Sequence, residues 1–433
     1  TANPVFNTKY YYSDLKNSPG KSAPLFTFGG SLNIQYKDYL AARLDAWNSV
    51  NTGTREIARL DPDVRRSYTF NETGLNYFDG TEGYLRYEDD IFYAGIARNR
   101  ILWGSGLNNK AVLSDNPQVF EYIQMGFEYK FLTYDYIHGW LVQPKTIQFI
   151  DSITGNIKIR DAKYIASNRI GFRPGGGINF GVTQTILYAS RPFDAAYLNP
   201  FLFWESAQRA GNDLDNSFLT FDFSWVFAKG AEFFTSLTFD DINFEYLSPG
   251  QFDRWNNRLS LHAGLNVTDA LLDFLPQGWL LYTEYYFVRP HTYTHSGLGE
   301  SMAYTNNSFP LGVPVSPNSD MVNIGIMMLP APGLTINLDF KYIRHGDNIY
   351  DENGVMVKNV GGSYFFNSIY KAYEISPFLD GVRKDRAVLR LNAEYIISHT
   401  LSAFLNYQHQ QLKYEDNNEP ENVFMFGFRV NNF

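Results

Sequence analysis

The chain has 433 residues, a formal net charge of −9 and no cysteine. Lack of cysteine excludes disulfide frameworks, thiolate metal sites and cysteine nucleophiles, and the acidic balance argues against nucleic acid, whose phosphates demand a basic footprint. Hydrophobic residues make up 44% of the chain, yet it holds 31 Tyr, 36 Phe and 7 Trp. No apolar run approaches the roughly 20 residues of a membrane-spanning helix. Many aromatics at modest mean hydropathy is what alternating strands produce when one face meets lipid and the other a polar lumen.

The opening Thr1-Ala2-Asn3-Pro4 reads as the processed N-terminus of an exported protein. Period-two alternation then recurs along the chain. Phe26, Phe28, Leu32, Ile34 and Tyr36 share a face against Thr27, Ser31, Asn33 and Gln35. In segment 37–70, Leu40, Ala41, Leu44 and Trp47 stand at helix-like spacing, which predicts a short helix, either a plug or a helix on the rim. Tyr164, Ala166, Ile170 and Phe172 oppose Lys163, Ser167, Arg169 and Arg173, and Pro174-Gly175-Gly176-Gly177 signals a turn. Leu219, Phe221, Phe223 and Trp225 face away from Thr220, Asp222 and Ser224.

Toward the C-terminus, Val322 to Met328 and Leu334 to Tyr342 form two apolar stripes around Pro330-Ala331-Pro332-Gly333. Leu389, Leu391 and Ala393 oppose Arg390, Asn392 and Glu394, which cannot face hydrocarbon and are expected to line a lumen. A soluble sheet with one wet face explains alternation equally well. It does not explain Tyr and Trp gathered at strand ends (Tyr134, Tyr136, Trp140, and Trp279, Tyr285, Tyr286), where an interfacial girdle would place them. Phe424, Phe426, Phe428 and Val430 share a face while Phe433 falls on the other, so either a bulge or further chain is expected there.

The expected fold is all-β: one transmembrane antiparallel barrel over residues 1–433, of about 16–18 strands at ~24 residues each. Long connections near 104–118, 143–162, 189–216, 289–319 and 344–384 are expected on the extracellular side, where barrels carry their function. The expected compartment is the bacterial outer membrane. His291 and His295 have H-x3-H spacing but sit in a loop with no third ligand, so no metal site or other cofactor is expected. No Ser/His/Asp set stands out, and an enzyme is not expected.

Two segments carry more information. Arg98 to Asn116 reads Arg-Asn-Arg-Ile-Leu-Trp-Gly-Ser-Gly-Leu-Asn-Asn-Lys-Ala-Val-Leu-Ser-Asp-Asn. From Asn168 an Arg-rich strand pair leads to Ser190-Arg191-Pro192, Leu198-Asn199-Pro200 and Gly211-Asn212-Asp213-Leu214-Asp215-Asn216. The first resembles the signature of the Wzi capsule-assembly family of outer-membrane proteins, departing from it at Ser105, where the family usually has Pro, and at Pro117, which follows Asn116 directly. The second resembles the divergent branch of that family, and the matching segments span about residues 83–225.

The resemblance implies an 18-stranded, plugged or constricted barrel acting as a surface lectin for capsular polysaccharide. Its candidate glycan residues are Arg100, Trp103, Asn108, Asp115, Asn116, Arg169, Arg191, Asn199, Asp213, Asp215 and Asn216. Implied partners are outer-membrane lipid or lipopolysaccharide, surface polysaccharide and other envelope proteins. For any single residue a structural role has more weight: Trp103-Gly104 and Asn199-Pro200 shape turns, and Arg100, Arg169 and Arg191 form a lumenal lattice with Asp213 and Asp215. Two other functions fit the same barrel, a porin for small solutes and a structural subunit of a larger envelope complex.

Overall fold

The computed structural model describes residues 1–433 except 17, 66–75, 109, 152–154, 200, 205–214, 242–250, 273–275, 296–298, 367–368, 415–416 and 432–433. Eighteen strands form one antiparallel sheet. They are β1 (Ala2–Ser13), β2 (Ser22–Tyr36), β3 (Leu40–Asn51), β4 (Asn76–Glu88), β5 (Phe92–Asn99), β6 (Phe120–Tyr129), β7 (Leu132–Asp151), β8 (Gly155–Gly175), β9 (Ile178–Ala189), β10 (Asn216–Ala228), β11 (Ala231–Asp241), β12 (Arg258–Thr268) and β13 (Leu280–Val288), then β16 (Ser319–Ala331), β17 (Leu334–Asp347), β20 (Val382–Ile396), β21 (Leu401–Tyr414) and β22 (Asn417–Val430). Two small hairpins, β14 (Thr305–Asn306) with β15 (Phe309–Pro310) and β18 (Ile349–Tyr350) with β19 (Met356–Lys358), lie in loops.

The sheet closes because β1 pairs with β22, from Phe6 opposite Val430 to Ser13 opposite Val423. Closure leaves no edge strand, so the wall's backbone groups pair within the sheet. One end of the barrel holds both termini and tight turns. Lys37, Lys130, Gly230 and Gly333 take the positive φ those turns need. The opposite end carries the longer connections.

Side-chain parity follows the sequence reading. Phe26, Phe28, Leu32, Ile34, Leu338, Phe340, Leu389, Phe424, Phe426 and Phe428 are exposed on the outer wall. Arg390 donates to Gln408, Asn406 to Asn392, and Arg429 lies 3.7 Å from Glu394, all inside. Deeper in the lumen Arg169 meets Asp222 in a two-pronged contact, with an NH2 to Oδ1 distance of 2.6 Å. Gly181 makes room for it, since a Cβ there would lie 2.3 Å from the guanidinium and 2.4 Å from the carboxylate.

Four expectations are corrected. Residues 40–51 are strand β3, because Leu40, Ala41, Leu44 and Trp47 suit either period and pairing with β2 and β4 decides. The helical content of 37–70 is two single turns, α1 (Arg55–Ala58) and α2 (Pro62–Arg65), and Ile57, Ala58 and Val64 pack against Tyr11, Leu25, Phe78 and Val423 of the inner wall. Residues 143–162 are mostly strand, since a register shift between Val142 and Thr146 carries β7–β8 pairing past Pro144. Tyr286 is no girdle residue: it faces inward and is fully buried, while Tyr134 and Tyr136 face outward but are covered. At the C-terminus the strand ends at Val430 and Asn431 turns with φ 56°. Alternation stops there, and Phe433 lies outside the described residues.

Asp222→Ala would leave the Arg169 guanidinium without its carboxylate in a largely water-excluded wall, a loss of about 1–3 kcal/mol. The expected outcome is a lower urea midpoint for unfolding of the barrel in detergent micelles, with Gly181→Ala shifting it in the same direction.

Candidate functional site

Three loop segments fold back into the lumen. Residues 100–119 form a bridge at Trp103 and Leu113, with Trp103 N–H donating to the Leu113 carbonyl at 2.9 Å. They join 289–318 through Ser114 N–H to Leu311 O (2.8 Å), Tyr304 OH to Val112 O (2.9 Å) and Asn116 Nδ2 to Pro310 O (3.0 Å). Tyr364 of the 348–381 loop donates to Val315 O at 2.7 Å. The wall holds this assembly through Lys163 Nζ to Ala303 O (2.7 Å) and Asn216 Nδ2 to Met302 O (2.9 Å). Buried apolar groups from the loops (Val112, Leu113, Tyr293, Leu311, Val313) and from the wall (Tyr122, Ile165, Leu187, Phe218) form one core inside the barrel.

The tip of the first loop reaches deepest. Leu107 and Asn108 both donate backbone N–H to Glu284 Oε1, at 2.9 and 3.0 Å, and Tyr286 OH donates to Oε2 at 2.8 Å. One buried carboxylate thereby latches the tip to β13. Gly106 is required, since its φ is +106° and a Cβ would lie 2.4 Å from the His262 ring. Lys110 closes the turn by donating to Gly106 O. Burial pushes its ammonium below the ordinary lysine range, against the opposing pull of Glu284, Glu232 and Asp222.

Beside this filling lies a cavity of about 520 Å³ lined by Lys9, Arg43, Asp45, Trp47, Asp61, Glu82 and Arg100 among others. Alternation on β3 sends Arg43, Asp45, Trp47 and Ser49 inward, and Gly80 opposite Trp47 lets the indole lie against β4, where a Cβ would be 2.2 Å from it. Arg43 Nε donates to Asp45 at 2.7 Å. Lys9 bridges Asp61 and Asp63 of the helical segment at 2.7 and 2.9 Å, and Tyr11 OH donates to Asp61 at 2.8 Å. A second cavity of about 390 Å³ adjoins it at Asn99 and Arg100, lined by Arg86, Tyr93, Trp103, Tyr122 and Gln124. Arg86 lies 4.1 Å from the centroid of the Tyr93 ring.

The predicted site residues do not converge. Arg100 lines both cavities and sits 3.5 Å from Glu82. Trp103 faces the second cavity, and Asn108 and Asn116 hold the loop filling. Asp115 is half-buried in the same loop. Arg169 is bound to Asp222, and Asn216 anchors 289–318. Arg191, Asn199 and Asp215 lie outside the wall: Arg191 pairs with Asp194 and Asp215, and Asn199 accepts from Trp204 Nε1 through its carbonyl. The expected single lumenal lattice is therefore split, because residues 190–199 and 201–204 fold over the exterior. Asp213 lies outside the described residues. Lys9, Arg43, Asp45, Trp47, Asp61 and Glu82 were missed, although period-two reading of 41–49 places Arg43, Asp45 and Trp47 on one polar face.

Among the described residues no three His, Asp or Glu side chains gather as metal ligands. His291 is buried with Nε2 3.3 Å from Ser376 Oγ. Burial, reinforced by Arg258, holds His291 down at about 3 and His295 at about 4.

No protein-family model matches the sequence, and no curated protein matches it. Solved structures share its fold. Wzi of Escherichia coli, an outer-membrane protein described as a carbohydrate-binding β-barrel involved in group 1 capsule assembly, is 12% identical with a TM-score of 0.59, over 98% of this chain and 84% of that one. OpdR and OpdH of Pseudomonas aeruginosa are each 10% identical with TM-scores of 0.51, covering 100% and 99% of this chain and 96% and 97% of theirs. The closed 18-strand barrel is thus the fold of bacterial outer-membrane proteins.

Two outcomes follow from this geometry. Removing the latch with Glu284→Ala costs the tip hydrogen bonds to a charged group, about 1.5–3 kcal/mol each, so amide exchange of residues 105–110 accelerates while that of β10 to β13 does not. The histidines give the second. Their folded values lie below the ordinary 6.5, so unfolded loops bind more protons, and stability present above pH 6.5 is lost as pH falls toward 4 and 3. Residues 289–318 are therefore cut faster at pH 4.5 than at pH 7 by a protease active at both, and His291→Asn reduces the difference.

Proposed function

We propose that this protein is an outer-membrane barrel that binds surface or capsular polysaccharide, retaining it at the cell surface or assisting its assembly, without catalysing a reaction. The observation that carries the reading is the charged, tryptophan-floored cavity beside a lumen largely occupied by its own loops. Its volume falls within the ~300–1,000 Å³ typical of small-molecule sites. Carbohydrate recognition asks for an aromatic face under the apolar side of a sugar ring and planar, forked partners for its hydroxyls. Trp47 supplies the first, and Arg43, Asp45, Glu82 and Arg100 supply the second. Likeness in fold to Wzi and the Arg98–Asn116 resemblance support the same reading.

Glycan retention by the purified barrel tests it. Trp47→Ala and Arg43→Ala are each expected to weaken binding of a retained capsular oligosaccharide about tenfold or more, roughly 1.4 kcal/mol. Arg191→Ala, outside the wall, is expected to leave binding unchanged. Full retention by both lumenal variants would overturn the assignment of the site.

A second reading is a channel for small solutes. It is favoured by the meeting of the two cavities at Asn99 and Arg100, which gives a continuous polar lining with Arg43, Arg86 and Arg429. Swelling of protein-loaded liposomes in an isotonic small sugar, suppressed by bulky substitution at Asn99, would select this reading instead.

A further inference from the structure

Residues 190–199 and 201–204 leave the loop end of the barrel and lie down the outside of the wall over β7, β8 and β9. Outward positions on these strands are unusual for a surface meant for lipid. Tyr136, Asn168 and Gln184 stand side by side in register, as do His138, Ala166 and Ile186 one step higher. All six are buried, although parity turns them away from the lumen. The cover is built from Tyr197 and Trp204, which pack on Tyr136, and from Phe193, which meets His138 and Trp140. Phe201 stacks on Tyr134 at 5.6 Å, only two residues above the start of β7. The segment thus reaches the level of Ile170 and Phe172, which are exposed on the bare wall beside it.

A loop at this depth meets a severe physical test, since bare backbone amides and charges are costly in hydrocarbon. Here the charges are neutralised internally: Arg191 is paired with Asp194 and Asp215, and Tyr197 OH also donates to Asp215. Backbone N–H groups of Asp194, Ala196, Tyr197, Asn199, Phe201 and Leu202 all donate within the segment or to the wall. Position 192 is proline, with no N–H to satisfy. The large apolar side chains that stay exposed on the segment are Phe193, Leu198, Phe201, Leu202 and Phe203, with Phe201 78% exposed.

We infer that residues 193–199 and 201–204 are a lipid-contacting strap: they present Phe193, Leu198, Phe201, Leu202 and Phe203 to the acyl chains of the bilayer and shield a polar patch of wall, His138, Asn168 and Gln184, from them. This rests on the membrane-spanning reading of the barrel. The strap gives this sector of the wall a second layer, so that its apolar outer face comes from a loop and not from the strands.

The cysteine-free chain allows a direct test. Phe201→Cys and, separately, Phe203→Cys are labelled with an environment-sensitive fluorophore, and Leu389→Cys on the exposed wall of β20 serves as reference. Each full-length protein is reconstituted alone into phosphatidylcholine vesicles carrying spin-labelled acyl chains. Quenching by the spin label at 201 and 203 is expected to be comparable to that at 389, with little quenching by aqueous iodide. Lipid quenching at 389 combined with iodide quenching at 201 and 203 would overturn the strap while leaving the barrel in the membrane. Protection of 201 and 203 from both quenchers, increasing with protein density, would overturn it in favour of contact with another copy of the chain. Absence of lipid quenching at all three positions would instead remove the membrane-spanning reading itself.

Discussion

Pairing of β1 with β22 is the contact on which the rest depends. Until Phe6 to Ser13 lie against Val430 to Val423, the sheet has two edges with unpaired backbone. Once closed, it has an inside and an outside, and every strand residue belongs to one of them. The same parity that puts Phe424, Phe426 and Phe428 on the exterior sends Val423, Met425 and Arg429 inward. No other single constraint assigns so many side chains at once.

An 18-stranded ring encloses more space than its own inward side chains fill. This protein fills much of the remainder with chain. The loops bring an apolar core into a polar tube, and they do so where the wall offers Tyr122, Ile165, Leu187 and Phe218 in place of charges. Where the filling ends, the wall becomes ionic: Arg169 with Asp222, Lys9 with Asp61, Arg43 with Asp45. The Trp47 cavity sits at this boundary, between an apolar plug and a charged wall. On the exterior residues 190–199 and 201–204 repeat the solution in reverse, covering polar wall with apolar loop.

How much of this was legible depended on whether burial is decided locally. Leu219 to Trp225 read correctly because one face meets an apolar surround and the other a polar lumen, so the residues themselves carry the alternation. Residues 40–51 did not, because Ala42 and Ala46 blunt the contrast between faces and Leu44 and Trp47 fit a helix as well as a strand. Tyr286 stands toward a strand end, where a girdle would place it, but a lumen lined by loop residues accepts an aromatic, and the ring stacks on His262 at 4.1 Å. Candidate site residues fared by the same rule. Arg100 and Trp103 reached a cavity, whereas Arg191 and Asp215 went to the outer wall, and nothing local to either sequence says which way a loop will fold. The motif resemblance falls on the lumenal 100–119 loop and on the exterior segment after β9, whereas Arg43, Asp45 and Trp47 of the cavity come from an ordinary-looking strand.

The protein's own loops occupy much of the lumen and leave a charged cavity beside them, the site proposed to hold a ligand. Single-channel recording of the purified barrel in a planar bilayer tests this most directly. Insertion is expected without sustained large conductance, with at most brief, small openings. Stable, high-conductance steps from the unmodified protein would contradict it, since they require a continuous aqueous path through the loops of residues 100–119 and 289–318.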